Sequence, residues 1–275
     1  MKLAIMAGTA NLFAVVDARH ERLPRDLAQW ARSLCTAPIA PDAPPQLDGL
    51  LVVAQSERAA CRMSIFNVDG SRAEACGNGL RCVAKFAYSR GFTASDRLRV
   101  ETDAGIRDVE LLRDNGSIVG ARATMGTPRV LGRGIQLATS RGAVEATLVD
   151  MGNPHCVLFV DDERTAPVEV LGPELERHAH FPKRTNVEFC ARRGGKLWLR
   201  VWERGVGETL ACGTGACASA VAASLLVPPT QLPVDVEVRG GRLNVAWDKV
   251  GEVVLSGPCE ELWSGEVGER EPVRP

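Results

Sequence analysis

The sequence predicts a strand-rich α+β fold built from two related halves, each with strands wrapped around one main helix. Three observations support this prediction. Many short alternating or apolar runs, bounded by turn residues, follow one another along the 275-residue chain, as is typical of strands. Only two main helix-forming runs stand out, one in each half. A cysteine followed by a glycine-rich turn and then such a run occurs twice.

The two cysteine stretches align without gaps. Residues 63–79 align with residues 199–215, and this alignment matches Cys76 with Cys212 at a separation of 136 positions. In both copies an alternating segment, a loop, the cysteine and the glycine turn recur at equal spacing. This regularity predicts two related halves.

A second match sets the approximate limits of the halves. Asn11 and Asn153 each precede an apolar run, but they are 142 positions apart, which indicates loops of different length. We predict an N-terminal half at residues 1–117 and a C-terminal half at residues 118–258. The final segment, residues 259–275, is predicted to pack back on the first half.

Elements of the first half follow from hydrophobic periodicity and from the turn residues between them. Two strands are predicted around a turn at residues 8–11, and a short helix at residues 26–34 precedes a proline-rich loop at residues 38–45. Further strands are predicted at residues 50–53, 61–66, 98–102 and 106–112, and the main helix at residues 79–90. A strand predicted at residues 118–125 opens the second half.

The second half begins after Asp114-Asn115-Gly116, a sequence typical of a tight β-turn. A helix is predicted at residues 171–178, and the second main helix at residues 216–226, directly after the second cysteine turn. Strands are predicted at residues 143–151, 156–160, 186–190, 197–202, 234–239, 243–247 and 250–255.

Composition narrows the class of protein. A net charge of -1 with interspersed acids and bases gives no footprint for nucleic acid or for an acidic membrane surface. No run of about 18 apolar residues predicts a membrane span, and the apolar N-terminus lacks a clear signal-peptide cleavage site. Nine cysteines form an odd set in a chain too long to need disulfides, which favours a reducing, cytoplasmic location.

The chemistry that the cysteine turns suggest depends on the helix that follows each of them. A helix N-terminus binds anions such as carboxylates, and its field is expected to lower the pKa of a neighbouring thiol. If the halves face each other, Cys76 and Cys212 would meet at one cleft and could remove a proton from one face of a carbon and return one to the other. The alternative is a buried cysteine at an ordinary turn. The spacing to Cys82 and Cys217 fits structural zinc poorly.

Several polar residues near turns allow both a functional and a structural interpretation. His155 is either an acid-base helper or a structural histidine. Glu203 and Arg204 are either surface charges or a pair that recognises an amino group and a carboxylate. Asparagines at strand ends usually serve the turn, but four of them could form a polar rim around a zwitterionic substrate: Asn11, Asn67, Asn153 and Asn186.

Five segments together resemble the diaminopimelate epimerase family, and the resemblance extends from about Gly8 to Gly265. The segments are Phe66-Asn67-Val68-Asp69-Gly70, Ala75-Cys76-Gly77-Asn78-Gly79, Met151-Gly152-Asn153-Pro154-His155, residues 184–189 (RTNVEF) and residues 203–215 (ERGVGETLACGTG). The resemblance implies two pseudo-symmetric domains, each a barrel-like sheet around a central helix, with a cleft between them. It also implies a homodimeric enzyme without cofactor or metal that interconverts LL- and meso-2,6-diaminopimelate, in lysine and peptidoglycan precursor synthesis.

The resemblance also assigns roles to residues of this chain. It implies that Cys76 and Cys212 are the catalytic thiolate and thiol, with His155 and Glu203 as auxiliary residues. The implied substrate ligands are the side chains of Asn11, Asn67, Asn153, Asn186, Glu203 and Arg204, and the backbone around Gly77, Asn78, Gly213 and Thr214.

One segment departs from the family pattern. The family usually shows Gly-Leu-Gly-Asn-Asp-Phe, whereas this chain has Gly8-Thr9-Ala10-Asn11-Leu12-Phe13. An aspartate is lost and a glycine has become alanine near the expected substrate. The alternative function is therefore a racemase of another amino acid with the same mechanism, and a third hypothesis is a binding protein without catalytic activity.

Overall fold

The computed structural model describes residues 1–73 and 76–268. Ala75 of the first cysteine motif and the end of the C-terminal tail lie outside the described residues. The chain forms two compact units, Met1–Ala123 together with the described chain from Gly257 onward, and Thr124–Ser256. The division predicted from the sequence, at residues 117 and 258, stays a prediction.

The first unit contains two helices and most of its strands in continuous order. Its elements are β1 (Lys2–Gly8), β2 (Asn11–Asp17), α1 (Leu27–Thr36), β3 (Gly49–Ala54), β4 (Cys61–Asn67), β5 (Arg72–Ala73), α2 (Gly77–Ser89), β6 (Arg97–Thr102), β7 (Gly105–Asp114) and β8 (Ser117–Thr124).

The second unit has a similar order of elements, and the chain then returns to the first. Its elements are β9 (Arg129–Thr139), β10 (Gly142–Asp150), β11 (Pro154–Phe159), α3 (Val168–Glu176), β12 (Asn186–Arg193), β13 (Lys196–Glu203), β14 (Gly207–Thr209), α4 (Gly213–Ser224), β15 (Val234–Val238), β16 (Gly241–Ala246) and β17 (Val254–Pro258). The last strand, β18 (Glu260–Glu266), pairs antiparallel with β1.

The repeat found in the sequence is also a repeat of strand pairing. β4 pairs in parallel with β6 and antiparallel with β5, and β13 pairs in the same way with β15 and β14. The register is conserved between the units at the 136-residue offset, since Cys61 faces Val100 and Leu197 faces Val236. In addition, β2 and β11 each pair in parallel with the strand beyond a helical crossover. The predicted α+β class with two pseudo-symmetric parts is confirmed.

Each unit packs its strands around one central helix. Leu80, Val83, Ala84 and Ala87 of α2 follow helical spacing and lie in the core formed with the strands of the first unit. Every residue of α4 except Thr214 is buried. Because α4 consists mainly of alanine and other small residues, strands can approach it from several sides. A second core in each unit lies against α1 or α3.

Some predicted boundaries were wrong, and some elements were not predicted. The two central helices begin at Gly77 and Gly213, earlier than the predicted residues 79 and 216, because the cysteine side chains cap them. The strands β9 and β18 were missed since their side chains are largely exposed and lack a clear apolar alternation. The strands β5 and β14 were also missed, because they have only two and three residues. Asn115 and Gly116 have positive φ and form the predicted tight turn, between β7 and β8. Among the described residues, no helix has the length and apolar character needed to cross a membrane.

Candidate active site

Both cysteines of the repeat occupy the same position, the N-cap of a central helix. The backbone of each is extended, with φ and ψ of -145° and 117° at Cys76 and -123° and 112° at Cys212. The Sγ atom of Cys76 accepts a hydrogen bond from the Gly79 amide at 3.4 Å, and that of Cys212 accepts one from the Gly215 amide at 3.4 Å. Each sulfur therefore lies at the positive end of a helix.

The backbone residues predicted to cradle a carboxylate are the first residues of these helices. Gly77 and Asn78 open α2, and Gly213 and Thr214 open α4. The first N–H groups of a helix have no partner within it, so they are able to bind an anion. None of the nine cysteines, all of which lie in the described residues, forms a disulfide.

Two carboxylates surround the Cys212 thiol. Burial raises the pKa of Cys212 well above its usual value, and the charges of Glu203 and Glu188 raise it further. Hydrogen bonds from Thr214 and the Gly215 amide act in the opposite direction but are weaker. The expectation that the helix terminus lowers the pKa of this thiol is therefore wrong at Cys212, because burial and two carboxylates outweigh the hydrogen bonds at the helix terminus.

Glu203 contacts this thiol from the end of β13. Its Oε1 atom accepts a hydrogen bond from Thr209 Oγ1 at 2.5 Å, and it also interacts with the Cys212 side chain. Burial raises the pKa of Glu203, while these hydrogen bonds and His155 lower it. Glu203 and Cys212 thus share one partly enclosed environment in which a thiol donor is favoured over a thiolate.

A reactivity measurement tests this assignment. We expect Glu203→Gln to speed the alkylation of Cys212 by iodoacetamide at about pH 8, near the usual thiol pKa, because one charge that disfavours the thiolate is removed. Peptide mass spectrometry over time would follow Cys212 alone. The matched control is Glu208→Gln, since Glu208 pairs with Arg200 and Arg239 instead. An unchanged rate in Glu203→Gln would contradict the assignment.

His155 is held by a carboxylate that the sequence analysis did not single out. Its Nδ1 atom lies 2.6 Å from Glu188 Oε1, and both side chains are fully buried. Its Nε2 atom lies 3.0 Å from Asn153 Oδ1, and Asn153 Nδ2 in turn lies 3.4 Å from Thr214 Oγ1. Glu188, His155, Asn153 and Thr214 therefore form a connected polar series that ends 3.5 Å from the Cys212 sulfur.

Glu188 could have been found from one feature of the sequence. It is a charged residue inside the otherwise apolar run that follows Asn186, and the first six residues of β12 are all buried. A charged side chain is buried at such a position only when it has a partner. The parallel register of β11 and β12 places Glu188 opposite Val157, two residues from His155.

In the first unit, four residues connect the N-terminal turn to the cysteine helix. Asn78 Nδ2 donates to Asn11 Oδ1 at 2.5 Å, and Asn78 Oδ1 accepts from Arg81 at 2.8 Å. Arg81 is fully buried and also donates to Thr9 Oγ1 at 2.7 Å. Thr9 stands where the family pattern has leucine. Through Arg81, its hydroxyl group is part of the hydrogen-bond network that orients Asn11 and Asn78.

The close approach of this turn to the helix requires a glycine. A Cβ atom at Gly8 would lie 2.6 Å from the carbonyl oxygen of Asn78 and 3.0 Å from the Cys82 sulfur. With no side chain at residue 8, β1 contacts the first turn of α2 directly. This contact brings Asn11 within reach of Asn78.

The remaining predicted ligands are less closely connected. Asn67 donates to Ser71 Oγ at 2.9 Å within its own exposed turn. Asn186 is buried, accepts from the Arg204 amide at 2.9 Å and donates to the Pro154 carbonyl at 2.9 Å. The exposed Arg204 side chain makes a 3.4 Å contact with the Lys183 carbonyl. In the second unit the structure thus joins His155 and Asn153 to Cys212 through Thr214, and Asn186 to Arg204. In the first unit Asn11 is bonded to Asn78, and Asn67 is bonded to Ser71 in its own turn.

The part of the chain that the structure describes contains no candidate metal site. No group of three or more His, Cys, Asp and Glu side chains there could hold an ion.

Comparisons with known proteins show the family of the chain. The diaminopimelate epimerase family model matches residues 3–131 and 147–261. The chain is 42% identical over 280 residues to a diaminopimelate epimerase of Moorella thermoacetica, covering 97% of this chain and 99% of that protein. It is 44% identical over 273 residues to one of Pelotomaculum thermopropionicum, covering 94% and 96%.

The solved structures show the same fold at low sequence identity. A phenazine biosynthesis protein of the PhzF family from Bacillus anthracis superimposes with a TM-score of 0.76 at 16% identity, covering 98% of this chain and 99% of that one.

These findings define the class of protein first. With its paired cysteine caps and its relatives, the chain is an isomerase of the epimerase and racemase type. More narrowly, the chain belongs to the diaminopimelate epimerase family.

Proposed function

We propose that this protein interconverts LL- and meso-2,6-diaminopimelate by moving the α-proton between two cysteines, without a bound cofactor. The observation that supports this most strongly is the equivalence of Cys76 and Cys212. Two thiols at the N-caps of two equivalent helices suit a reaction in which both faces of the reacting carbon need the same proton-transfer chemistry. Each thiol has the helix N–H groups of an anion site beside it.

The difficult step is removal of a proton from a carbon that is only weakly acidic. The negative charge that develops on the substrate must be stabilised by dipoles oriented in advance. In our proposal the first amides of α2 and α4 bind the carboxylate next to the reacting carbon. They include those of Gly77, Asn78, Gly213 and Thr214, and they would also stabilise charge delocalised onto that carboxylate.

The environment of Cys212 suggests how the protons are distributed before substrate binds. Turnover needs one thiolate as base and one thiol as acid. Because burial and two carboxylates raise the pKa of Cys212, we propose that Cys212 is the thiol in the resting enzyme and Cys76 the base. The roles reverse when the other stereoisomer is the substrate.

The auxiliary residues would hold Cys212, the proposed acid, in position. Glu203 contacts Cys212, and the Glu188–His155 pair orients Asn153 next to Thr214. In this proposal none of these groups removes the α-proton; they hold the thiol and the carboxylate site in place.

The second amino acid centre of diaminopimelate needs its own ligands. Arg204 is exposed on a turn and suits a carboxylate, since guanidinium and carboxylate can form two parallel hydrogen bonds. Asn11, Asn67, Asn153, Asn186 and Glu203 supply amide and carboxylate groups for the remaining polar atoms. We propose that the enzyme acts in the cytoplasm as a homodimer, in the synthesis of lysine and peptidoglycan precursors.

Incubation of the reduced protein with LL-diaminopimelate, without added pyridoxal phosphate or metal, tests this function. We expect meso-diaminopimelate to form until the two isomers reach equilibrium, as followed by chiral chromatography. No conversion by a folded, fully reduced protein would contradict the proposal. The second candidate function is a racemase of another amino acid, which the departure from the family pattern at Ala10 and Leu12 favours. A panel of amino acids in the same assay would test this second function.

A further inference from the structure

The turn that carries Arg204, residues 203–207, is held from outside by side chains of two other elements. We call it the arginine turn. The Arg204 amide donates to Asn186 Oδ1 at 2.9 Å, and the next amide, of Gly205, donates to Glu176 Oε1 at 2.9 Å. The amide of Val206 donates to the Glu203 carbonyl at 3.1 Å, within the turn itself. The backbone on both sides of the Arg204 side chain is therefore fixed.

Glu176 is the last residue of α3 and is 1% exposed. Its second oxygen, Oε2, accepts a hydrogen bond from Trp202 Nε1 at 2.9 Å, and Arg184 Nη1 lies 3.5 Å from Oε1. Burial by itself would raise the pKa of Glu176, but the donors Trp202 and Gly205, with nearby arginines, lower it below the usual value. The group that fixes the arginine turn is thus a carboxylate surrounded by donors.

Close packing between α3 and β13 makes this contact possible. A Cβ atom at Gly172 would lie 2.7 Å from the Trp202 ring, so a glycine is needed where the helix crosses the indole. Trp202 and Gly205 then lie within reach of the same carboxylate, one from the strand and one from the turn that follows it.

The equivalent turn of the first unit is also held by a helix side chain, but there the side chain donates the hydrogen bond and the turn accepts it. Asp69 corresponds to Gly205 at the 136-residue offset, and its carbonyl accepts a hydrogen bond from Arg32 of α1 at 3.0 Å. Like α3, α1 connects two parallel strands. In both units a side chain of the crossover helix therefore bonds to the backbone of this turn. In the first unit the guanidinium of Arg32 donates to a carbonyl, and in the second the carboxylate of Glu176 accepts from an amide.

The Arg204 side chain has little else to place it. It is exposed, and its hydrogen bond to the Lys183 carbonyl is long, at 3.4 Å. Among the described residues, no carboxylate lies within ion-pair distance of its guanidinium. The direction in which Arg204 points is then set mainly by the backbone of the arginine turn.

We infer that Glu176 is a positioning residue that holds the arginine turn so that Arg204 can bind the substrate carboxylate remote from the reacting carbon. The inference rests on the proposed function, in which Arg204 binds that carboxylate. It predicts that Glu176 affects the affinity for diaminopimelate, whereas proton transfer at the cysteines is left nearly unchanged.

Glu176→Gln is the variant that tests the role of the charge, because it keeps the size of the side chain. We expect KM for diaminopimelate to rise about tenfold, as for loss of a hydrogen bond to a charged group, with kcat within about twofold of the wild type. The matched control is Glu174→Gln on the same helix, whose carboxylate contacts the exposed Ser140. This control should leave KM unchanged.

A double-mutant cycle with Arg204→Ala separates positioning from general stability. If Glu176 acts through Arg204, Glu176→Gln should cause no further rise of KM in the Arg204→Ala protein. Rises of KM that multiply in the double mutant would overturn the inference. Thermal unfolding shows whether each variant is folded, and Glu176→Asp, which withdraws the carboxylate but keeps its charge, enters the same cycle if Glu176→Gln unfolds.

The wild-type protein distinguishes this inference from the proposed function. Absence of wild-type turnover of diaminopimelate would contradict the proposed function before any variant is compared. Wild-type turnover with an unchanged KM in folded Glu176→Gln would overturn the role of Glu176 and leave the proposed function intact.

Discussion

Replacing either Cys76 or Cys212 with serine is expected to lower turnover about 10²- to 10⁴-fold, the range typical of a lost acid-base group. A hydroxyl at neutral pH is neither a base nor an acid comparable to a thiol. The fold should survive, because serine is itself a favourable N-cap and can accept the hydrogen bond from Gly79 or Gly215. Rates of epimerisation and thermal unfolding midpoints of both variants would check the two expectations.

The cysteine set offers its own control. Cys217 lies five residues beyond Cys212, is fully buried and forms no disulfide. Cys217→Ala removes a sulfur from the same helix without touching the N-cap, so we expect it to retain turnover. Normal turnover by Cys76→Ser or Cys212→Ser would show that one sulfur is dispensable and would exclude the two-cysteine mechanism.

Gly215→Ala is expected to lower kcat about 10²-fold, although alanine is the better helix former. The added Cβ would lie 2.9 Å from Glu188 Oε1 and 3.3 Å from the Cys212 sulfur. Glu188 is fully buried and bonded to His155, so it has little freedom to withdraw. The substitution therefore displaces the carboxylate, the sulfur or both. Steady-state kinetics with thermal unfolding would separate lost activity from lost stability.

The equivalent glycine of the first unit provides the matched comparison. A Cβ atom at Gly79 would lie 3.1 Å from a methyl group of Leu51 and 3.7 Å from Cys76 Cβ. A methyl group in an apolar core can shift by a few tenths of an ångström more easily than a carboxylate in a buried hydrogen-bonded pair. Gly79→Ala should thus be the milder variant, and a larger loss of kcat in Gly79→Ala than in Gly215→Ala would contradict the role given to Glu188.

Much of the fold was predictable from the sequence because the repeat preserves local patterns. The cysteine, the glycines and the following helix lie close together in the chain, and the geometry of an N-cap depends on these few residues. Strand alternation likewise marked β4 and β13 on the two copies. The exposed strand β9 has no such alternation, so periodicity could not identify it.

The parts of the site that were not predicted depend on contacts between distant segments. Glu188 becomes important only because the parallel register of β11 and β12 brings it to His155. Glu176 reaches Gly205 only because α3 packs closely on Trp202. The effect of the helix N-terminus on Cys212 could be expected from local sequence, but the burial and the two carboxylates that outweigh it could not.

The most direct test of the two-cysteine mechanism follows deuterium during the first few per cent of reaction in D₂O. Starting from LL-diaminopimelate, one cysteine removes the α-proton and the other, carrying solvent deuterium, delivers it to the opposite face. We therefore expect the meso product to carry one deuterium at the inverted carbon while the remaining LL substrate carries none. Meso product that retains the original proton, or deuterium accumulating in unreacted LL substrate as fast as in product, would indicate a single shared base and contradict the mechanism.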